Sequence, residues 1–115
     1  MNDITGDMGI SHFMKTIGLH DNRLVGINIT NGDLEVRLDD LYANVHNDGE
    51  RKAPGSIIVR SCNWISCDNN ISDWIVDGDY SVTDLGVVLR ITLNLGTVIE
   101  LRGTHVEVHQ DETLA

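Results

Sequence analysis

The sequence predicts a mainly β fold of the α+β kind: antiparallel sheets forming a sandwich or open barrel, with one short N-terminal helix. Three observations predict it. Asn31-Gly32, a preferred central pair for a type I′ turn, stands between two apolar-rich alternating runs. Val87, Leu89, Ile91 and Leu93 alternate with Val88, Arg90, Thr92 and Asn94, the period of a half-buried strand. Ile10, Phe13, Met14 and Ile17 recur at i, i+3, i+4 and i+7, one face of a helix.

A chain of 115 residues is expected to form one domain, 1–115, able to bury roughly two-thirds of its unfolded surface. Met1 to Gly6 reads as a loose end. The helix starts near Met8, with Asp7 as N-cap and Gly18 just beyond its last turn. Phe13 and Met14 at this spacing belong to a core. The Asn31-Gly32 turn sets Ile29 against Leu34, Ile27 against Val36 and Val25 against Leu38, with all six on one face. Asn28, Thr30, Asp33, Glu35 and Arg37 take the wet face. Asn44 to Ser56, with Pro54, has no period and reads as a surface loop.

Ile57 to Ser61 forms another strand, whose inward face is either Ile57 with Val59 or Ile58 with Cys62 and Trp64. Asn70 to Ile75 suits one helical turn, and Asp79 to Thr83 a brief strand. Asn94-Leu95-Gly96 is expected to form a loop with a left-handed Gly96, pairing Ile91 with Ile99, Leu89 with Leu101 and Arg90 with Glu100. A one-residue slip would set Ile91 against Glu100, so this register is strongly specified. Gly103-Thr104 suits a further hairpin turn that pairs Leu101 with Val106 and Ile99 with Val108. The tail from Gln110 to Ala115 is polar and expected to fray.

Eighteen acids against 8 bases leave a formal charge of -10. Nucleic acid and anionic membrane both demand cationic surface, so neither is the expected partner. A basic protein is the natural complement. No apolar run approaches the roughly 20 residues that cross a bilayer, and no basic stretch followed by an apolar core opens the chain. The expected compartment is the cytoplasm. Cys62 and Cys67 are too few for a disulfide framework or a zinc site. Free thiols are favoured over a bridge.

His105, Glu107 and His109 share one face of a strand, and two imidazoles with a carboxylate are common ligands for zinc or iron. The hairpin register places Arg102 opposite His105, where a guanidinium opposes a cation. The favoured reading is a solvated charge row of Arg90, Glu100 and Glu107. His20-Asp21 reads as a turn, not a dyad. No phosphate loop, dinucleotide fingerprint, calcium loop or nucleophile elbow is present, so no cofactor is expected.

Between Ser61 and Gly86 the charges are Asp68, Asp73, Asp77, Asp79 and Asp84, with no Lys or Arg. Trp64, Trp74 and Tyr80 are interleaved with them. Tryptophan and tyrosine anchor protein interfaces, and aspartates around them pair with Lys or Arg. The competing reading buries both indoles and leaves the aspartates as solubilising charge.

Leu19-His20-Asp21, followed at once by the Val25 to Leu38 hairpin, resembles small bacterial immunity proteins over about the first 40 residues. The resemblance implies an acidic, cytoplasmic, single-domain protein that neutralises a toxin, often a nuclease, by covering its basic active site. The resulting expectation is a non-enzymatic inhibitor whose contact residues are Asp68, Asp73, Trp74, Asp77, Asp79 and Tyr80. A metal-dependent enzyme using His105, Glu107 and His109, or a β-sandwich that binds a small molecule or serves as an oligomer subunit, are the alternatives.

Overall fold

The structure is a computed structural model and describes residues 2–4, 6–16, 19, 22–41, 53–67 and 74–111. In chain order the elements are β1 (Asn2–Ile4), α1 (Asp7–Thr16), β2 (Asn22–Thr30), β3 (Asp33–Leu41), β4 (Ala53–Arg60) and β5 (Trp64–Cys67). They continue as β6 (Trp74–Thr83), β7 (Gly86–Leu93), a 3-10 turn (Asn94–Gly96), β8 (Val98–Gly103) and β9 (His105–Gln110). The strands form one antiparallel sheet in the order β1-β9-β4-β3-β2-β6-β7-β8-β5. Among the described residues its ends, β1 and β5, do not pair, so the sheet is not closed into a barrel.

The sheet has two halves. Among the described residues β2 and β6 join them over two residue pairs, Asn22 with Ile75 and Arg23 with Trp74. Inward side chains of both halves meet in one core, including Val36, Ile57 and Val108 from the first and Ile75, Leu89 and Ile99 from the second. Helix α1 presses Ile10 and Phe13 into this core at the i and i+3 positions of its apolar face. Leu19, just after it, packs on Gly78 so closely that a Cβ there would lie 2.7 Å from the leucine methyl.

Both locally specified turns form as expected. Asn31 and Gly32 have φ of 53° and 83°, and Ile27 pairs with Val36 and Ile29 with Leu34. Arg90 meets Glu100, Ile91 meets Ile99 and Leu89 meets Leu101. Leu95 as well as Gly96 takes the left-handed conformation, at φ 71° and 85°. The inward face of β4 is Ile57 with Val59.

Several expectations are corrected. Gly103-Thr104 is not a hairpin turn: β9 pairs with β4, setting Val106 opposite Val59 and Val108 opposite Ile57. At Gly103 the chain crosses from one half to the other, held by Thr104 N donating to Arg60 O at 2.9 Å. Residue 103 must be glycine there, because a Cβ would lie 2.5 Å from Arg60 O. In the first hairpin a bulge at Val25 pairs Leu38 with Leu24 and turns Val25 to solvent. Ile29 keeps its pairing with Leu34 but is also exposed.

Residues 2–4 are not loose but pair with β9, and Gln110 is a buried strand residue. Residues 53–56 open β4 instead of ending a loop, and Trp74-Ile75 begin β6 instead of a helical turn. The remaining loop residues 44–52, His20-Asp21 and residues 70–73 lie outside the described residues.

Candidate functional site

The decisive local feature is a bulge in β6. Ile75 pairs with Leu93 and Asp77 with Thr92, which leaves Val76 as an extra residue. Strict alternation would send Ile75 and Asp77 to the same face. The bulge resets the register, so Ile75, Gly78 and Tyr80 point inward while Trp74, Asp77 and Asp79 point outward. Trp74 is 41% exposed, whereas Tyr80 is only 9% exposed and packs in the core. The expectation that Tyr80 shares a contact face with Trp74 is therefore corrected. Asp68 and Asp73 lie outside the described residues.

The outward face of the second half continues from these carboxylates across three more strands. Asp79 lies opposite Arg90, Arg90 opposite Glu100, and Glu100 opposite Ser66. Glu100 accepts from Arg90 Nε at 2.8 Å and from Arg102 Nε at 3.0 Å. These hydrogen bonds hold its carboxyl below the usual range. Arg90 thus sits beside Asp79 but spends its Nε–H on Glu100, and Asp79 makes no ion pair among the described residues. Arg102 also lies over the Trp64 ring, 5.5 Å from its centroid. That indole is 51% exposed. Both tryptophans therefore stand on the outer face, at opposite margins of the second half.

A different network covers the outer face of the first half. Glu107 receives Arg60 in a two-pronged grip, Nε to Oε2 at 3.1 Å and Nη2 to Oε1 at 3.0 Å. His105 Nε2 lies 2.8 Å from Oε2 and His109 Nε2 lies 2.7 Å from Oε1. An ionised carboxylate only accepts, so each imidazole donates its Nε2–H. Arg60 above all, with both histidines, pulls the Glu107 pKa down to about 2 against the burial that opposes ionisation. The Arg60 guanidinium is correspondingly harder to deprotonate.

Asp33 extends the cluster, bonding Arg60 Nη1 at 2.9 Å and the Ser61 backbone N–H at 2.9 Å. Arg37 binds Ser56 Oγ and Asp111, which lowers the Asp111 pKa. The guanidinium beside His105 and Glu107 is thus Arg60, not Arg102, and Glu107 shares no row with Arg90 and Glu100. Glu107 lies between the imidazoles as their acceptor, so the three side chains do not converge on a common point. Among the described residues no group of three His, Cys, Asp or Glu is arranged to hold a metal ion.

Cys62 is half-buried against the core and Cys67 is exposed, and no disulfide joins them. An open groove of about 740 Å³ lies between Trp64 and the β6–β7 turn, with Asp84, Leu85, Val88 and Arg102 among its walls. Among the described residues no helix is long and apolar enough to cross a membrane. Comparison with family models, curated proteins and solved structures finds no match for this chain.

Sequence reasoning missed the Arg60–Glu107 grip and the groove at Trp64. Both depend on strand order. Cues within the chain were limited to an arginine and a glutamate on alternating strands that each read as half-buried.

Proposed function

We propose that this protein is a non-enzymatic inhibitor of the immunity type. In this reading it neutralises a basic partner protein, such as a bacterial toxin nuclease, by occluding its active site. The supporting observation is the β6 bulge, which turns an indole and two carboxylates, Trp74, Asp77 and Asp79, to the same solvent-facing side. On a chain of net charge -10 that combination suits a cationic surface. Charge accelerates and orients the encounter, while burial of the indole slows dissociation. Asp68 and Asp73 belong to the same proposed interface by sequence proximity. The expected setting is the bacterial cytoplasm.

The test uses the C-terminal domain encoded by the adjacent upstream reading frame, titrated calorimetrically with the purified protein. Binding that weakens at least tenfold in Asp77→Lys/Asp79→Lys, with an unchanged melting curve, supports the proposal. Undiminished affinity in that variant removes these aspartates from the interface, and absence of binding to the neighbouring product removes the immunity reading.

A further inference from the structure

The groove between Trp64 and the β6–β7 turn is built from positions that the fold holds in place. Its floor is the outward row in which Arg102 lies opposite both Trp64 and Val88. Arg102 is fixed there by Glu100, which accepts from its Nε at 3.0 Å and lies 2.8 Å from its Nη2. The far wall is the turn itself, where Thr83 Oγ1 donates to Gly86 O at 3.1 Å and accepts from Leu85 N at 3.3 Å. Behind it Gly86 passes so near Gly103 that a Cβ on it would lie 2.2 Å from the Gly103 carbonyl oxygen. Wall and floor are therefore locked together. The cavity, about 740 Å³, is of the size that small ligands occupy.

Side chains around this space are unspent. Leu85 is 94% exposed, and Trp64 keeps 51% exposure even with Arg102 over its ring. The Asn63 and Asp84 side chains make no hydrogen bond among the described residues. The groove thus offers a carboxylate that only accepts, a guanidinium that only donates and an amide that does both. Charge favours neither a cationic nor an anionic ligand, because Arg90 and Arg102 share Glu100 while Asp84 adds the second carboxylate. The selected ligand is uncharged, with donors and acceptors side by side and an apolar face. Vicinal hydroxyls on a pyranose ring meet the first demand, and the ring's C–H face suits the negative face of an indole. A nucleotide would instead bring phosphate to a chain of net charge -10.

We propose that this groove is a binding site for a neutral saccharide, a pyranose or a short chain of them. The sugar packs its C–H face on the exposed indole surface of Trp64, with Leu85 and Val88 completing the apolar contact. Its hydroxyls donate to the Asp84 carboxylate and accept from the Arg102 guanidinium, and the Asn63 amide bonds a further hydroxyl. Strand β6 carries Trp74 at one end and Thr83 at the other, so this site is separate from the Asp77 and Asp79 surface. It stands or falls independently of the inhibitor reading.

The test titrates the full chain carrying Trp74→Phe, whose emission reports Trp64 alone, with maltose, cellobiose, lactose and N,N′-diacetylchitobiose. At least one of these is expected to shift the emission saturably, with the same affinity by calorimetry on the unsubstituted chain. Asp84→Ala is expected to weaken that binding about tenfold, and Asn63→Ala independently about threefold, at unchanged melting temperature. Loss in either variant places the sugar in this groove. A saturable response to none of the four disaccharides overturns the site, as does affinity undiminished in both variants. Tighter binding of glucosamine or of glucuronate than of glucose overturns the neutral class, and with it the proposal.

Discussion

Arg60 grips both carboxylate oxygens of Glu107 across the β4–β9 pair, joining positions 47 residues apart in sequence. Glu107 is 13% exposed at its side chain and Arg60 36%, so the pair is well shielded on the carboxylate side and partly in water on the other. The carboxylate titrates at about 2 in the fold against a usual value of 4.5. A depressed folded pKa means that the unfolded chain takes up the proton first. The associated stability is therefore complete above about pH 4.5 and lost as the pH falls toward 2.

Glu107→Gln should accordingly destabilise the protein by about 2 kcal/mol at neutral pH, a figure reduced for the partly solvated guanidinium. Urea midpoints at pH 7, 4 and 2.5 check it. The gap between wild type and variant should narrow steadily below about pH 4.5. A gap that is constant with pH would mean that the glutamate acts through packing.

Gly86 and Gly103 should be the least replaceable glycines. Gly86 has φ 131°, and a Cβ on it would lie 2.2 Å from the Gly103 carbonyl oxygen, a backbone atom with no freedom to withdraw. Gly86→Ala combines a disfavoured backbone with that collision and should cost about 3 kcal/mol or more. Gly32→Ala, with positive φ but open space around it, should cost about 1 kcal/mol. Paired chemical denaturation curves measure the difference.

The contrast between these glycines tracks what was legible in the chain. Gly32 and Gly96 serve turns whose neighbours are a few residues away, and there residue chemistry alone predicted the pairing of Ile29 with Leu34 and of Ile91 with Ile99. Gly103 resembled another turn glycine. Its actual constraint is the Arg60 carbonyl, which reaches it only because β4 lies beside β9. Strand order is set by long-range packing and leaves little local signature. The same holds for the candidate site: the aspartates and indoles of the acidic segment were visible as a group. Their faces were not, because one unpaired residue, Val76, reverses the alternation that sequence reading relies on.

Leu95 offers a stabilising change. It holds φ at 71° with its side chain 94% exposed, so it bears the left-handed backbone penalty without burying anything in return. Leu95→Asn should raise stability by about 0.5–1 kcal/mol, because asparagine tolerates that conformation. Thermal melts read the shift directly. A lower melting temperature would mean that the leucine makes contacts its exposure conceals.

The placement of Trp74 yields a test that needs no partner. With Trp64→Phe removing the other indole, the remaining fluorescence reports Trp74 alone, since the chain has only 2 tryptophans. Its indole is part-exposed on the face that carries Asp77 and Asp79, so its emission should be red-shifted relative to a buried tryptophan. Those carboxylates should concentrate cations and repel anions within about 10 Å at low ionic strength. Caesium should then quench several-fold more efficiently, relative to iodide, than it does for free tryptophan. Adding Asp77→Lys/Asp79→Lys should reverse the order, and 0.5 M sodium chloride should erase most of it by screening, at about 4 Å Debye length. Equal quenching by the two ions at low salt would mean that the field near the indole is already neutralised. The electrostatic half of the proposed docking surface would then have no physical basis, whatever the net charge of the chain.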